Sequence, residues 1–219
     1  MSLVIAIDGP SGSGKSSTSR LVAQRLGLAY LDTGSMYRAI ALGCAAGGLL
    51  DDADGIIGFT QRASLQMGTD PANPSVSLNG VDVTAEVHSP DVSAQVSTVA
   101  TLQPVRDALT AQMRQVVAQA GRIVVEGRDI TTVVCPDAAV RVLLVADADA
   151  RMARRNAQVG GGLTSAQLSD QVVRRDRDDA TVSAFTTPAP GVALIDSTHA
   201  SLDEVVDAVI ALVPPAALA

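Results

Sequence analysis

The sequence predicts an α/β fold in which a five-stranded parallel sheet is flanked by helices. Short apolar runs recur between helix-like segments, and 47% of the 219 residues are hydrophobic, which is enough for a sizeable core. Continuous apolar runs of this kind are typical of parallel sheets that are covered on both faces. The chain length suits one α/β domain with room for an insertion. The five apolar runs are residues 3–7, 28–31, 123–125, 140–145 and 192–195.

The first apolar run leads into a glycine-rich segment with the spacing G-x-x-x-x-G-K-[ST]. In this motif the glycines let backbone N–H groups surround phosphate oxygens, Lys15 reaches the β- and γ-phosphates, and Ser16 offers a hydroxyl to Mg²⁺. Residues 16–26 are predicted to form the following helix, whose positive end also faces the anion, and Gly27 ends it. The alternative is a Gly/Ser-rich surface turn, which does not account for the match at every fixed position. The motif residues are Gly9, Pro10, Ser11, Gly12, Ser13, Gly14, Lys15 and Ser16.

Further helices are predicted over residues 35–47, 105–120 and 201–213. The second has an apolar stripe at helical spacing, and the third begins with a capping box formed by Ser201 and Glu204.

Two segments interrupt the alternation of strands and helices. Asn79-Gly80 separates two short β-like runs, which is a strong signal for a hairpin. We therefore expect a β insertion at about 60–100 within a single domain that spans 1–219. The second segment contains Gly160-Gly161-Gly162 after a basic helix, and its composition predicts a mobile lid at about 151–182.

Composition excludes several classes of partner. The net charge of −7 and the aromatic content of 2% argue against binding to a nucleic-acid backbone or stacking of bases. The two histidines are isolated, and the two cysteines form no C-x-x-C pair, so neither a metal site nor a disulfide framework is supported. No apolar run is long enough to cross a membrane. We expect a cytoplasmic protein that binds small phosphorylated ligands.

A polar segment follows the second apolar run. Asp32 through Arg38 should lie at the carboxyl edge of the sheet, beside the glycine-rich loop. Arg38 can hold a second phosphate with two hydrogen bonds, supported by Thr33 and Tyr37. A helix start with a solvated arginine is an equally good explanation of the spacing.

Charged residues also follow the third apolar run and surround the predicted lid. Arg128 and Asp129 come directly after residues 123–127, which points them toward the same edge of the sheet. Around the lid, arginines lie on one helical face and then recur among acidic residues. Solvated, mutually paired charges are the ordinary explanation of such runs; we favour a lid that closes on phosphates. The lid arginines are Arg151, Arg154, Arg155, Arg174, Arg175 and Arg177.

Three strings together resemble the bacterial cytidylate kinase family of P-loop nucleoside monophosphate kinases. They are the glycine-rich loop with its preceding strand, Leu31-Asp32-Thr33-Gly34-Ser35-Met36-Tyr37-Arg38, and the segment 125–138 that begins Val125-Glu126-Gly127-Arg128-Asp129. The resemblance covers nearly the whole chain. It implies transfer of a phosphoryl group from ATP, with Mg²⁺, to CMP or dCMP.

The resemblance also implies roles for individual residues. ATP is expected on Gly9 to Ser17, while Lys15, Arg38, Arg128, Arg154, Arg155 and Arg175 are expected to position and neutralise the phosphates. Asp32 and Asp129 are expected to orient either arginines or metal-bound water. The residues expected to bind CMP are Thr33, Tyr37, Arg38, Ser97, Arg106, Arg128, Asp129, Arg175 and Asp179.

Val182 departs from the family pattern, which has an arginine here, and Arg174 and Arg177 are the candidates to replace it. The alternatives to a CMP kinase are a kinase of another small acceptor, such as UMP or shikimate, and a regulatory nucleotide switch. We see no water-positioning element or partner surface that a switch would require. We expect a monomer.

Overall fold

The computed structural model of the protein describes residues 2–158, 164, 172, 174–183 and 185–218. The three glycines of the predicted lid, Gly160, Gly161 and Gly162, lie outside the described residues. The strands are β1 (Leu3–Asp8), β2 (Ala29–Asp32), β3 (Leu65–Gly68), β4 (Ser75–Leu78), β5 (Val81–Asp82), β6 (Arg122–Gly127), β7 (Val140–Val145) and β8 (Ala193–Asp196). The helices are α1 (Lys15–Leu26), α2 (Thr33–Ala46), α3 (Ala53–Arg62), α4 (Pro90–Ala100), α5 (Gln103–Ala120), α6 (Ala148–Gln158), α7 (Arg175–Asp179), α8 (Leu202–Ala211) and α9 (Pro215–Leu218).

The central sheet has five strands in the order β2-β6-β1-β7-β8, and each neighbouring pair is parallel. This confirms the predicted sheet. β1 lies in the middle, so its carboxyl end lies between the ends of β6 and β7. The segments that follow β1, β2 and β6 therefore meet at one edge, as expected for an open parallel sheet.

Helices cover both faces of this sheet. One face packs against α1 and α8 through residues such as Val22, Val206 and Val209. The opposite face packs against α2 and α5 through residues such as Ile40 and Met113. The predicted capping box is present at the start of α8, where Ser201 and Glu204 bond reciprocally.

The predicted β insertion is a three-stranded antiparallel sheet in the order β3-β4-β5. Asn79 and Gly80 join β4 and β5 with φ of 51° and 81°, the left-handed backbone of a tight hairpin turn. Sequence analysis did not identify β3, because this strand has only four residues and contains glycine and glutamine. Its pairing with β4 stabilises it.

Both cysteines, Cys44 and Cys135, are free and buried, and burial raises the pKa of each thiol to about 11. They pack as small apolar groups in the core. Among the described helices, none is long and apolar enough to cross a membrane.

A buried carboxylate joins β1 to the chain after β6. Asp8 is 1% exposed and accepts hydrogen bonds from the Ile130 amide at 2.8 Å, the Thr131 amide at 2.8 Å and the Thr131 hydroxyl at 2.6 Å. Burial raises the pKa of Asp8, and these hydrogen bonds oppose the rise. Asp8 therefore fixes the segment that follows Arg128 and Asp129 directly beside the glycine-rich loop.

We predict that Asp8→Asn destabilises the protein by about 1 to 3 kcal/mol, since all three partners are donors and the new amide group would leave buried donors unpaired. Urea unfolding followed by circular dichroism measures this. The matched control is Asp51→Asn, which makes the same change at an exposed position and should leave the unfolding midpoint unchanged. Equal stability of both variants would show that Asp8 does not hold this segment.

Candidate functional site

The glycine-rich loop adopts the backbone that its glycines predict. Gly12 and Gly14 have φ of 76° and 91°, which L side chains rarely adopt. A Cβ on Gly9 would collide with the carbonyl oxygen of Leu144, so the loop can leave β1 next to β7 only with glycine at this position. Lys15 begins α1, and its Nζ donates to the Pro10 carbonyl at 2.8 Å. The loop thus closes around its own lysine.

A second buried carboxylate lies beneath the loop. Glu126, at the end of β6, is 2% exposed and accepts a hydrogen bond from the Tyr30 hydroxyl at 2.5 Å. Burial raises the pKa of Glu126, the charge of Asp32 adds to the rise, and Lys15 and a hydrogen bond with Ser16 lower it. Sequence analysis assigned no role to Glu126. Its position at the carboxyl end of a central strand was the available signal.

Arg38 is oriented by the residue that caps its own helix. Asp32 accepts from the Ser35 amide at 3.1 Å, from the Ser35 hydroxyl at 2.6 Å and from Arg38 Nη1 at 3.5 Å. Burial alone would raise the pKa of Asp32, but Arg38 and the Ser35 hydrogen bonds outweigh it, so the pKa is below its usual value. Of the two roles open to Asp32, the contacts support orientation of an arginine. Thr33 donates to the Glu126 carbonyl at 2.7 Å and so connects the start of α2 to the end of β6.

The far wall of the cavity contains a buried ion pair. Arg106, which is 8% exposed, directs Nη2 to the Asp129 carboxylate and to the Ser183 hydroxyl at 2.8 Å, and Nη1 to the Ala100 carbonyl at 3.0 Å. Within the described part of the chain, these bonds leave one Nη1 hydrogen and the Nε hydrogen for another acceptor. Sequence analysis did not identify Ser183.

Tyr37 and Arg155 complete this side of the cavity. Tyr37 lies near the Arg106–Asp129 pair, and burial raises the pKa of its hydroxyl. Arg155 also lines the cavity, and burial and the charge of Arg38 lower its pKa. Its Nη2 is 3.5 Å from the Ser93 hydroxyl. Two arginines from different elements therefore line one cavity and repel each other electrostatically, an arrangement that a bound anion would stabilise.

On α4, the cavity is lined by Ser93, Val96 and Ala100. The predicted residue Ser97 does not line it; its carbonyl accepts from the Thr101 side chain. The sequence could not distinguish these serines, because they are four residues apart on one helical face.

The structure does not bring Arg154 to the cavity. Its guanidinium donates to the Ser197 hydroxyl at 2.9 Å and to the Ser197 carbonyl at 2.5 Å. Ser197 in turn donates to the carbonyl of Ser13 in the loop at 2.9 Å. Arg154 therefore stabilises the loop through Ser197, although its spacing places it on the same helical face as Arg155.

Helix α7, which lies within the range predicted to form a lid, contributes carboxylates to the site. Arg128 forms ion pairs with Asp176 at 2.7 Å and Asp179 at 3.0 Å, and its guanidinium lies 4.4 Å from the centre of the Phe185 ring. The Arg175 side chain lies outside the described residues. Val182 lines a neighbouring pocket to which Arg106 and Asp129 also contribute.

The two arginines proposed to replace an arginine at Val182 do not line this cavity in the described structure. Arg174 pairs with Asp178 at 2.9 Å, and Arg177, with a side chain 77% exposed, lies 3.6 Å from the same carboxylate. Predicted residues that do line the cavity are Ser11, Gly12, Lys15, Ser16, Thr33, Tyr37, Arg38, Arg106, Arg128, Asp129, Arg155 and Asp179.

A phosphate-binding loop at the carboxyl edge of a parallel sheet, facing an arginine-lined cavity, defines a P-loop protein of the kinase type. A family model described as cytidylate kinase matches residues 5–215. The chain therefore belongs to the cytidylate kinase family.

Individual relatives agree with this assignment. A protein named cytidylate kinase from Cutibacterium acnes is 62% identical over 97% of this chain and 96% of its own length. Another of that name from Rhodococcus opacus is 46% identical over 94% of this chain and 92% of its own length. A solved structure of an uncharacterized protein from Eubacterium ventriosum has 13% identity and a TM-score of 0.52 over 95% of this chain and 96% of its own, which is a likeness of fold alone.

We predict that Arg154→Met lowers the free energy of unfolding by about 1 to 3 kcal/mol, because the acceptors on Ser197 lose their charged donors. Thermal and urea unfolding check this. Arg177→Met, which removes the same charge from an exposed side chain, should leave the unfolding midpoint unchanged. Unaltered stability of Arg154→Met would contradict the bracing role.

Proposed function

We infer that the protein transfers the γ-phosphoryl group of ATP to CMP, giving ADP and CDP. Membership of the cytidylate kinase family supports the reaction and the donor. The observation that carries the inference is one continuous cavity that extends from Lys15 in the loop to the buried Arg106–Asp129 pair. It offers a donor-phosphate site at one end and a site for a polar base at the other.

Donor phosphates are proposed to bind the loop over Gly9 to Ser17. The loop leads directly into α1, whose first residue is Lys15 and whose N-terminal dipole favours an anion. Lys15 is the only lysine of the chain. Its charge would balance the charge that develops on the oxygens between donor and acceptor.

The residues below the loop suit a magnesium ion. Mg²⁺ prefers oxygen ligands and keeps several waters, and the site offers the Ser16 hydroxyl together with the buried Glu126 carboxylate. Ser16 would hold the ion directly, while Glu126 would accept hydrogen bonds from its waters. When bound, the ion neutralises charge on the β- and γ-phosphates.

Arg38, Arg128 and Arg155 are proposed to hold the acceptor phosphate. They come from α2, the end of β6 and α6, and all three line the cavity beside Lys15. An acceptor phosphate oxygen held there attacks the γ-phosphorus as the bond to the ADP oxygen breaks. The acceptor supplies its own nucleophile, so the protein contributes position and charge.

The Arg106–Asp129 pair is proposed to recognise cytosine. Arg106 can only donate hydrogen bonds, which suits N3 or O2 of cytosine, and an ionised Asp129 can only accept them, which suits the N4 amino group. Uracil has an N–H at position 3 and a carbonyl at position 4, so the same residues would face it donor to donor and acceptor to acceptor. Ser93 and Asp179 are further acceptors on the cavity wall, and Ser97 and Arg175 remain predicted substrate residues.

Family membership does not favour the UMP, shikimate or switch alternatives. The use of dCMP, the monomeric state and the cytoplasmic location remain predictions from the sequence.

We predict that CMP exceeds UMP by at least about 100-fold in kcat/KM, because UMP would leave buried polar groups unpaired. A coupled assay of ADP release, with each monophosphate and without any acceptor, measures this. Arg106→Met should lower kcat/KM for CMP and reduce the ratio of the CMP value to the UMP value. Arg114 is an exposed arginine on the same helix, and Arg114→Met should leave this ratio unchanged. Comparable use of both bases would refute recognition of cytosine, and acceptor-independent ADP release would indicate a switch.

Lys15→Met should lower kcat by at least about 100-fold while the circular dichroism spectrum stays native, because a preorganised charge at the transferring group is lost. A variant with more than about a tenth of the wild-type rate would contradict this role. An independent readout uses the single lysine. Acylation of the native protein followed by peptide mapping should modify Lys15, and ATP should protect it.

A further inference from the structure

The carboxylate of Asp176, in helix α7, is hydrogen-bonded to the phosphate-binding loop. Its Oδ1 accepts from the Ser11 backbone amide at 3.0 Å and from Arg128 Nη1 at 2.7 Å, and its Oδ2 pairs with Arg151 Nη1. Three donors from the loop, the end of β6 and α6 thus converge on one anionic group. Sequence analysis assigned no role to Asp176.

These donors have the chemistry of a phosphoryl site. A loop amide and two guanidinium groups are the donors that proteins use for phosphate oxygens. A carboxylate can accept the same hydrogen bonds because, like a phosphate, it is an anion. The site is partly closed: the side chains of Asp176, Arg128 and Arg151 are 13%, 15% and 14% exposed. In such surroundings charges interact more strongly than they do in water.

Arg151 packs directly against the phosphate-binding loop. A Cβ on Gly12 would lie 2.6 Å from the Arg151 carbonyl oxygen, so the start of α6 lies directly against the loop. Arg151 Nη1 also donates to the Ser11 carbonyl at 3.2 Å. Its guanidinium is therefore fixed at the loop independently of Asp176.

The charges in this cluster compensate one another in the nucleotide-free protein. Arg128 and Arg151 contribute two positive charges, and Asp176 and Asp179 contribute two negative ones. A phosphoryl group added to this cluster would face both carboxylates with no surplus of positive charge. Departure of a carboxylate would therefore strengthen the binding of that group.

We propose that the Ser11 amide and Arg151, together with Arg128 at the boundary with the acceptor phosphate, form the subsite for the terminal phosphoryl group of ATP, which Asp176 occupies in the free protein and vacates when ATP binds. This proposal rests on the function inferred above. Arg151 is then a phosphate ligand of the donor site, and Asp176 is an internal competitor. The apparent dissociation constant for ATP equals the intrinsic constant divided by the fraction of molecules in which Asp176 has left the loop.

Titration calorimetry with β,γ-imido-ATP, ADP and CMP tests the proposal. Asp176→Asn should bind β,γ-imido-ATP at least fivefold more tightly than the wild type, with less than a twofold change for ADP and CMP. Asp178→Asn removes the same charge from the same helix, but Asp178 pairs with Arg174, so its affinities should stay within twofold of the wild type. Arg151→Met should weaken β,γ-imido-ATP at least tenfold and ADP less.

Other results overturn it. Unchanged or weaker binding of β,γ-imido-ATP by Asp176→Asn would show that Asp176 orients the arginines instead of occupying their ligand site. If Asp176→Asn bound only CMP more tightly, the subsite would belong to the acceptor phosphate. If it bound ADP and β,γ-imido-ATP more tightly by the same factor, the subsite could not be that of the terminal phosphoryl group. If Asp176→Asn fails to fold, Arg151→Met decides, and an unchanged affinity there refutes the subsite. Failure of the wild type to bind β,γ-imido-ATP would refute the proposed function itself.

Discussion

The parallel pairing of β1 with β6 and β7 is the constraint on which the rest of the site depends. This register places the ends of three strands at one edge. The loop after β1 therefore meets the arginine after β6 and the helix after β7, and Arg128 contacts Gly9 although the two residues are 119 positions apart in the sequence. Asp8 reinforces the arrangement by accepting three hydrogen bonds from the chain beyond Asp129. A parallel sheet buried on both faces supplies the rigid frame that such a site requires.

Balanced charge is the second feature of the site. Several arginines of the cavity are paired with carboxylates in the free protein: Arg38 with Asp32, Arg106 with Asp129, and Arg128 with Asp176 and Asp179. An unpaired buried guanidinium would be costly, and a phosphorylated ligand can take over the role of the carboxylate. An acidic protein can thus hold a cluster of arginines ready for anionic substrates. Glu126 likewise balances a positive charge, since it lies near Lys15 and hydrogen-bonds with Ser16.

The sequence predicted much of the site but not the partners within it. The loop was recognisable because its spacing is a local property: the φ values of Gly12 and Gly14 and the position of Lys15 follow from consecutive residues. Contacts between distant segments have no local signature. Arg154 and Arg155 are neighbours in the sequence, yet one donates to Ser197 and the other lines the cavity together with Arg38. Ser93 and Ser97 share one face of α4, and only the packing of that helix decides which one lines the cavity.

By itself, the sequence determined the class of fold, the phosphate-binding loop, the hairpin at Asn79-Gly80 and the capping box of α8, because each depends on hydrophobic pattern or backbone preference over a few residues. Its motifs also sufficed to indicate the family. Only the tertiary structure decided that β3 is a strand and that Asp32 orients Arg38. It also decided that Asp176 accepts a hydrogen bond from the backbone amide of Ser11 in the loop. The physical reason is distance along the chain: pairing of buried charges and of short strands depends on which segments the fold brings together, and no local pattern encodes that.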